Sequence, residues 1–290
     1  VSKFDFYILV LVKAFFFSIA ELRLIKITAS AAARIKSKGI RSDVRSKSIV
    51  IYFTVYLINS MKYYAIIVAG GVGSRMNSKL PKQFIDIHKK PIIIHTIEAF
   101  YQAFDEMNII VVMNDEYIDY WQEISQKYLK KQPITVSGGK TRFHSVKNGL
   151  SQIQGQNHII GIHDSVRPCL SVQFIQNIYK KTESAKAVIP LIPLKDSIRK
   201  VVSKKGTSAT AAVKRSDYLL VQTPQCFEQG ILMNAYEQNY SEQFTDDASV
   251  VEASGYKIAH IAGEHHNIKI TTPDDIKWAK LYLNNNSDTI

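Results

Sequence analysis

From about residue 63 onward, short apolar runs rich in β-branched residues alternate with longer amphipathic ones. The runs 65–69 (AIIVA), 108–113 (NIIVVM), 134–136, 158–162 (HIIGI) and 187–191 read as strands, 65–69 and 158–162 as buried ones. Between them Pro91 opens an apolar helix (PIIIHTIEAF), and residues 116–129 are helix-like. Residues 141–153 place Val146, Leu150 and Ile153 on one helical face, spaced by four and three. Strand and helix in alternation predict an α/β fold, a sheet with helices on both faces. Thr245 reads as the cap of a helix whose first turn is acidic, residues 267–271 (NIKIT) as a strand holding Lys269, and Pro273 as the first residue of the last helix. Two short strand-like runs flank the polar stretch SKKGTSAT and predict a hairpin leaving the main sheet, an arm over about 193–222.

Residues 1–60 do not join this pattern. Residues 6–20 are apolar except for Lys13, too short for the ~20 residues that span a bilayer but suited to the core of a signal peptide. Residues 49–58 form a second short apolar run, and Met61 stands directly before the first strand of the alternating region. The expectation is a domain over 61–290, with 1–60 an extension foreign to the native protein; a targeting segment is the alternative.

Net charge is +12, and the first sixty residues carry +7 of it, ten Lys and Arg against three acids. A basic chain invites a nucleic-acid partner. Because the excess sits mainly outside the patterned region, neither nucleic acid nor membrane is expected as a partner. Two cysteines, Cys169 and Cys226, make neither a disulfide framework nor a zinc site, and are expected as small buried hydrophobes.

The chemistry concentrates in residues 65–84, AIIVAGGVGSRMNSKLPKQF. Gly70, Gly71 and Gly73 follow the first strand, where glycines let backbone N–H groups approach a phosphate. Two cations, Arg75 and Lys82, come next, the second stiffened by Pro81. The run departs from a dinucleotide G-x-G-x-x-G and lacks the Gly-Lys-Ser/Thr of a P-loop. A second candidate is HDSVRP from His163: Asp164 and Arg167 suit sugar hydroxyls and a phosphate, or form a local ion pair across a turn. The glycine loop, the Gly138-Gly139 turn and HDSVRP all fall beyond strand ends, where α/β sheets bind ligands.

Together A-G-G-x-G-x-R-M, P-K-Q-F, G-G-x-x-R-x-x-S, H-D-x-x-R-P, the hairpin around Asp196, Q-T-P-Q, T-D-D-A-S and N-I-K-I-T resemble, in order, the sugar- and polyol-phosphate cytidylyltransferases. The resemblance is greatest to the 2-C-methyl-D-erythritol 4-phosphate cytidylyltransferase family, and it covers residue 61 to about 283. It implies a Rossmann-like nucleotidyltransferase fold with a mostly parallel twisted sheet, and a homodimer joined through the hairpin arm. It further implies cytoplasmic (or plastid) work on soluble metabolites, CTP and a sugar phosphate as substrates, and Mg²⁺ held mainly by nucleotide phosphates with no protein metal site. By this resemblance Arg75, Lys82, Arg215 and Lys269 are catalytic. Ala69, Gly70, Gly71, Gly73, Gly139, Lys140 and Ser145 surround the nucleotide, and Asp164, Arg167, Ser197, Thr223 and Thr245 hold the acceptor. His163 is expected to orient structure, since a phosphate nucleophile needs no general base. Lys140 departs from the pattern, standing where an acid is expected. Ribitol 5-phosphate or another polyol phosphate is an alternative acceptor, and a non-catalytic nucleotide-binding regulator is the alternative of another class.

Overall fold

The computed structural model describes residues 62–71, 80–202 and 209–285. Gly73, Arg75, the extension 1–60 and the tip of the predicted hairpin lie outside the described residues. Chain order runs β1 (Tyr63–Ala69), β2 (Asp86–Ile87), β3 (Lys90–Pro91), α1 (Ile92–Ala103), β4 (Asn108–Met113), α2 (Ile118–Tyr128), β5 (Ile134–Ser137), α3 (Arg142–Leu150) and β6 (Ile159–Asp164). It continues with α4 (Val172–Ala185), β7 (Ala187–Pro193), β8 (Arg199–Val201), β9 (Thr210–Ala212), β10 (Leu219–Val221) and β11 (Gln225–Glu228). Last come α5 (Gln229–Ala235), α6 (Asp247–Ala253), β12 (Ala259–Ala262) and α7 (Pro273–Asn285).

Alternation along β1 and β4 explains the layers. Ala65, Ile67, Ile109 and Val111 point to one face, where they meet Ile93, Ile97 and Phe100 of α1, Trp121 of α2, and Ile175 and Ile178 of α4. Ile66, Ile110 and Val112 point to the other, against Val146 and Leu150 of α3, Leu232 of α5 and Val251 of α6. A strand buried on both faces has to be apolar throughout, which is why these runs lack polar positions. Burying each large side chain contributes about 1.5–3 kcal/mol.

The sheet order is β10-β7-β11-β6-β1-β4-β5, with β12 on the other edge of β7. β6, β1, β4 and β5 are mutually parallel, and β11 runs antiparallel between β6 and β7. β10 and β11 lie end to end along β7, and their pairing shifts by two residues between Val221↔Leu191 and Cys226↔Val188. The break holds Thr223 and the cis Thr223–Pro224 bond, and it brings Thr223 beside the end of β6. β8 and β9 pair only with each other, forming the base of the predicted hairpin.

Four expectations shift. Residues 267–271 are not a strand: Asn267 and Ile270 are buried in irregular backbone, and the Ile270 N–H bonds Val166 O rather than a strand partner. The last strand is β12, whose inward Ala259 and Ile261 alternate with exposed His260 and Ala262. Thr245 does not cap α6; Asp246 does, its carboxylate accepting from Ser249 N while Asp246 N donates to Ser249 Oγ. α3 begins after Thr141, its cap, and ends at Leu150, so Ile153 packs against that core from beyond the helix. The helix expected over 116–129 opens with a 3-10 turn, Asp115–Tyr117, before α2 begins at Ile118. Both cysteines are free and buried, and burial raises both thiols, Cys169 to about 12.

Candidate active site

The carboxyl ends of β6, β1, β4 and β5 open onto a cleft of about 300 Å³. Gly70 and Gly71 leave β1, Lys82 and Gln83 lie on the 3-10 turn Lys82–Phe84, and Gly139 to Arg142 lead into α3. Ser145, Asp164 to Val166 and Lys269 complete the wall. Each wall is braced. Gln83 Nε2 donates to Ala69 O at 2.8 Å, tying the Lys82 turn to the end of β1, and Lys82 Nζ reaches Ile270 O at 3.0 Å. Gly138 N–H donates to Met113 O, so the 138–139 turn hangs from β4. Ser145 Oγ accepts from Gly139 N and donates to Thr141 O, both at 3.0 Å. Gly139 has to be glycine, because a Cβ there would stand 2.4 Å from His144 Cβ in the first turn of α3.

Two ion-pair systems meet in the cleft. Asp164 Oδ2 accepts from Arg167 Nε at 3.0 Å and lies 3.1 Å from Lys269 Nζ. Burial would raise this carboxyl, but Lys269, Arg167 and Arg142 outweigh it and hold it well below the usual carboxylate range. Arg142 grips Asp247 with two bonds, 2.7 and 2.6 Å, and Tyr236 Oη donates to the same carboxylate at 2.7 Å. Asp247 is fully buried, so its charge is tolerable only with these partners. Behind Asp164, its N–H donates to Thr223 Oγ1 at 3.2 Å, and Thr223 Oγ1 lies 2.9 Å from His163 Nδ1. Arg167 Nη1 donates to Asn267 O, and Asn267 Nδ2 to Thr223 O, which fixes the backbone that carries Lys269.

Thus Gly70, Gly71, Gly139, Lys140, Ser145, Asp164, Lys82 and Lys269 line one cleft. Ala69, Arg167 and Thr223 stand just behind its walls, as the bonds from Gln83, to Asp164 and from the Asp164 N–H show. Thr245 is exposed, one residue before α6's cap. Ser197 and Arg215 are exposed on the arm, and Arg215 Nη1 donates to Lys195 O of its own chain. Sequence reasoning did not assign Gln83, Arg142, Tyr236 or Asp247. Arg142 carried a signal: a cation in a helix's first turn opposes the dipole and calls for a partner.

A family model for 2-C-methyl-D-erythritol 4-phosphate cytidylyltransferase matches residues 63–285. The enzyme of that name from Phocaeicola vulgatus is 43% identical over 224 residues, 77% of this chain and 100% of the relative. The one from Bacteroides fragilis is 45% identical over 220 residues, 76% of this chain and 98% of the relative. The crystal structure of 4-diphosphocytidyl-2C-methyl-D-erythritol synthase from Anaerococcus prevotii superposes with a TM-score of 0.64 at 27% identity, covering 77% of this chain and 99% of that one. With the motif order, the parallel sheet and the cleft at its strand ends in agreement, the chain belongs to the 2-C-methyl-D-erythritol 4-phosphate cytidylyltransferase family.

Proposed function

We infer that this cleft transfers a cytidylyl group from CTP to 2-C-methyl-D-erythritol 4-phosphate and releases pyrophosphate. The observation that carries the reading is one cleft with glycine backbone and Lys82 on one side, and Asp164 with Lys269 on the other, in a chain of this family. An oxygen of the acceptor's phosphate attacks the α-phosphorus of CTP in line; that P–O bond forms as the bond to pyrophosphate breaks. The nucleophile is already an anion, so no side chain has to take a proton. The protein's work is alignment and charge stabilisation. Lys82, with Arg75 from the glycine loop, meets charge developing on the phosphates. Asp164 accepts from acceptor hydroxyls and Lys269 holds the acceptor phosphate. Lys140 lines the nucleotide side through the turn that Ser145 braces.

Among the described residues no group of three or more His, Cys, Asp or Glu could hold a metal, and Asp164 is the cleft's carboxylate. This donor set suits Mg²⁺ carried in mainly on the nucleotide phosphates. Bound so, Mg²⁺ would neutralise phosphate charge.

The arm supports a homodimer. Val201, Val202, Leu219 and Leu220 are each about half exposed or more, apolar area that a second copy would cover. Arg215 then serves the acceptor phosphate of the partner's cleft. No helix among the described residues is long and apolar enough to cross a membrane, and substrates of this kind are soluble, which supports work in the cytoplasm. The test is pyrophosphate release with each of the four nucleoside triphosphates against 2-C-methyl-D-erythritol 4-phosphate and ribitol 5-phosphate. Release with CTP and the first acceptor is expected. Preference for ribitol 5-phosphate would reassign the acceptor, and acceptor-independent behaviour would remove the reading.

A further inference from the structure

His163 is fully buried, lies beneath the cleft and has no part in the chemistry above. Its two ring nitrogens face different partners. Nε2 lies 3.1 Å from Arg167 O, and Nδ1 lies 2.9 Å from Thr223 Oγ1. A backbone carbonyl only accepts, so Nε2 carries the proton. In the neutral ring Nδ1 is then an acceptor, and the Thr223 hydroxyl donates to it. The same hydroxyl oxygen accepts the Asp164 N–H at 3.2 Å. Arg167 returns to Asp164 Oδ2 through Nε, which closes a ring of bonds from Asp164 through Thr223, His163 and Arg167 back to Asp164. Phe100 of α1 packs on the imidazole, with 5.1 Å between ring centroids, so water does not compete for these bonds. Among the described residues, Arg167 Nε and Lys269 Nζ both approach Oδ2 of the Asp164 carboxylate, which leaves Oδ1 for a ligand.

We propose that His163 is a positioning residue for the acceptor: held as the Nε2–H tautomer between Thr223 and the Arg167 carbonyl, it fixes where the Asp164 carboxylate points. This rests on the reading of Asp164 as the acceptor's hydroxyl ligand. Burial keeps the ring neutral, with a proton affinity lowered to about 4, so the relay keeps one hydrogen-bond direction at neutral pH.

Two measurements test it. In protein labelled with ¹⁵N-histidine, the His163 signal is assigned by its loss in His163→Gln. It should show a protonated Nε2 and an unprotonated Nδ1 from pH 8 to 6; the opposite tautomer, or titration in that range, overturns the proposal. This arm does not depend on turnover, so it judges the relay even if the wild type proves inactive with every acceptor, which would instead sink the functional reading. In kinetics, Thr223→Val removes the relay hydroxyl and should raise the acceptor KM about tenfold, the scale of one lost buried hydrogen bond, while the CTP KM stays near wild type. Thr223→Ser keeps the hydroxyl and should restore the acceptor KM. His163→Gln keeps a donor for Arg167 O but loses the Thr223 acceptor, and should resemble Thr223→Val. A role in folding alone would lower the active fraction, and so kcat, with both KM values unmoved; that result, or a rise confined to the CTP KM, overturns the proposal.

Discussion

At the cleft wall, Asp164 and Arg167 form an ion pair nearly out of water, with 11% and 12% of their side chains exposed, and Arg167 also donates to Asn267 O. On the arm, Lys214 and Asp217 form a pair with the same i, i+3 spacing at 77% and 59% exposure. Arg215 beside them bonds a carbonyl of its own chain, and the apolar residues nearby face solvent. The first pair is oriented by its surroundings and keeps its geometry; the second gains little in water. The buried pair finds its partners within one chain, whereas the arm has the composition of a surface awaiting a partner.

The largest effect should come from the cleft. Lys82→Ala is expected to lower kcat by about 10²–10³, the scale of one lost contact to developing charge, with the far-ultraviolet spectrum unchanged. A change under about threefold would take Lys82 out of the mechanism. Asp247→Asn strands Arg142 beside the cleft and should cost about 3 kcal/mol in urea unfolding as well as activity. If stability holds while turnover falls, Arg142 matters to the ligand rather than to the fold.

A smaller, pH-linked effect follows from His163. Its affinity is depressed from 6.5 to about 4, so the unfolded chain takes the proton first as pH falls. The neutral ring's contribution is fully present above about 6.5 and is lost toward about 4, at no more than about 1.4 kcal/mol per pH unit. Asp164 is depressed as well, so its contribution is lost only as pH falls below the ordinary carboxylate range. Urea midpoints at pH 7 and pH 5 should therefore differ more for the wild type than for His163→Gln. Equal differences would contradict a neutral buried ring. The smallest effect is expected from removing residues 1–60: the family match covers 63–285, so a chain starting at Met61 should turn over as the full chain does.

The parallel core strands β1, β4 and β6 were legible because burial on both faces leaves mainly apolar residues, and the glycine turns because they sit at strand ends; β11 and β12, short and with polar residues among their four, were not read as strands. The positions of Asp164 and Lys269 in one cleft followed the motifs. Residues 267–271 were misread because Asn267 and Ile270 are buried by side-chain bonds and by α7, not by pairing into the sheet. Thr245 was misread by one residue because Asp246, with Ser249 three positions on, is the better capping box. Asp247 was invisible as a site residue because an acid in a helix's first turn has an ordinary explanation; only the fold brings Arg142 across to it. The relay through Thr223 depends on the two-residue break between β10 and β11, which no local pattern announces.

On the proposed reading, the machinery is divided between the cleft of one copy and the arm of another. Mixing Lys82→Ala with Arg215→Ala under conditions that exchange subunits tests it directly. If the division holds, each mixed dimer has one site with both defects and one with neither, and equal mixing should return about a quarter of wild-type activity, by counting for a two-fold dimer. If Arg215 serves its own cleft, every site keeps one defect, and no activity returning after verified exchange would contradict the claim.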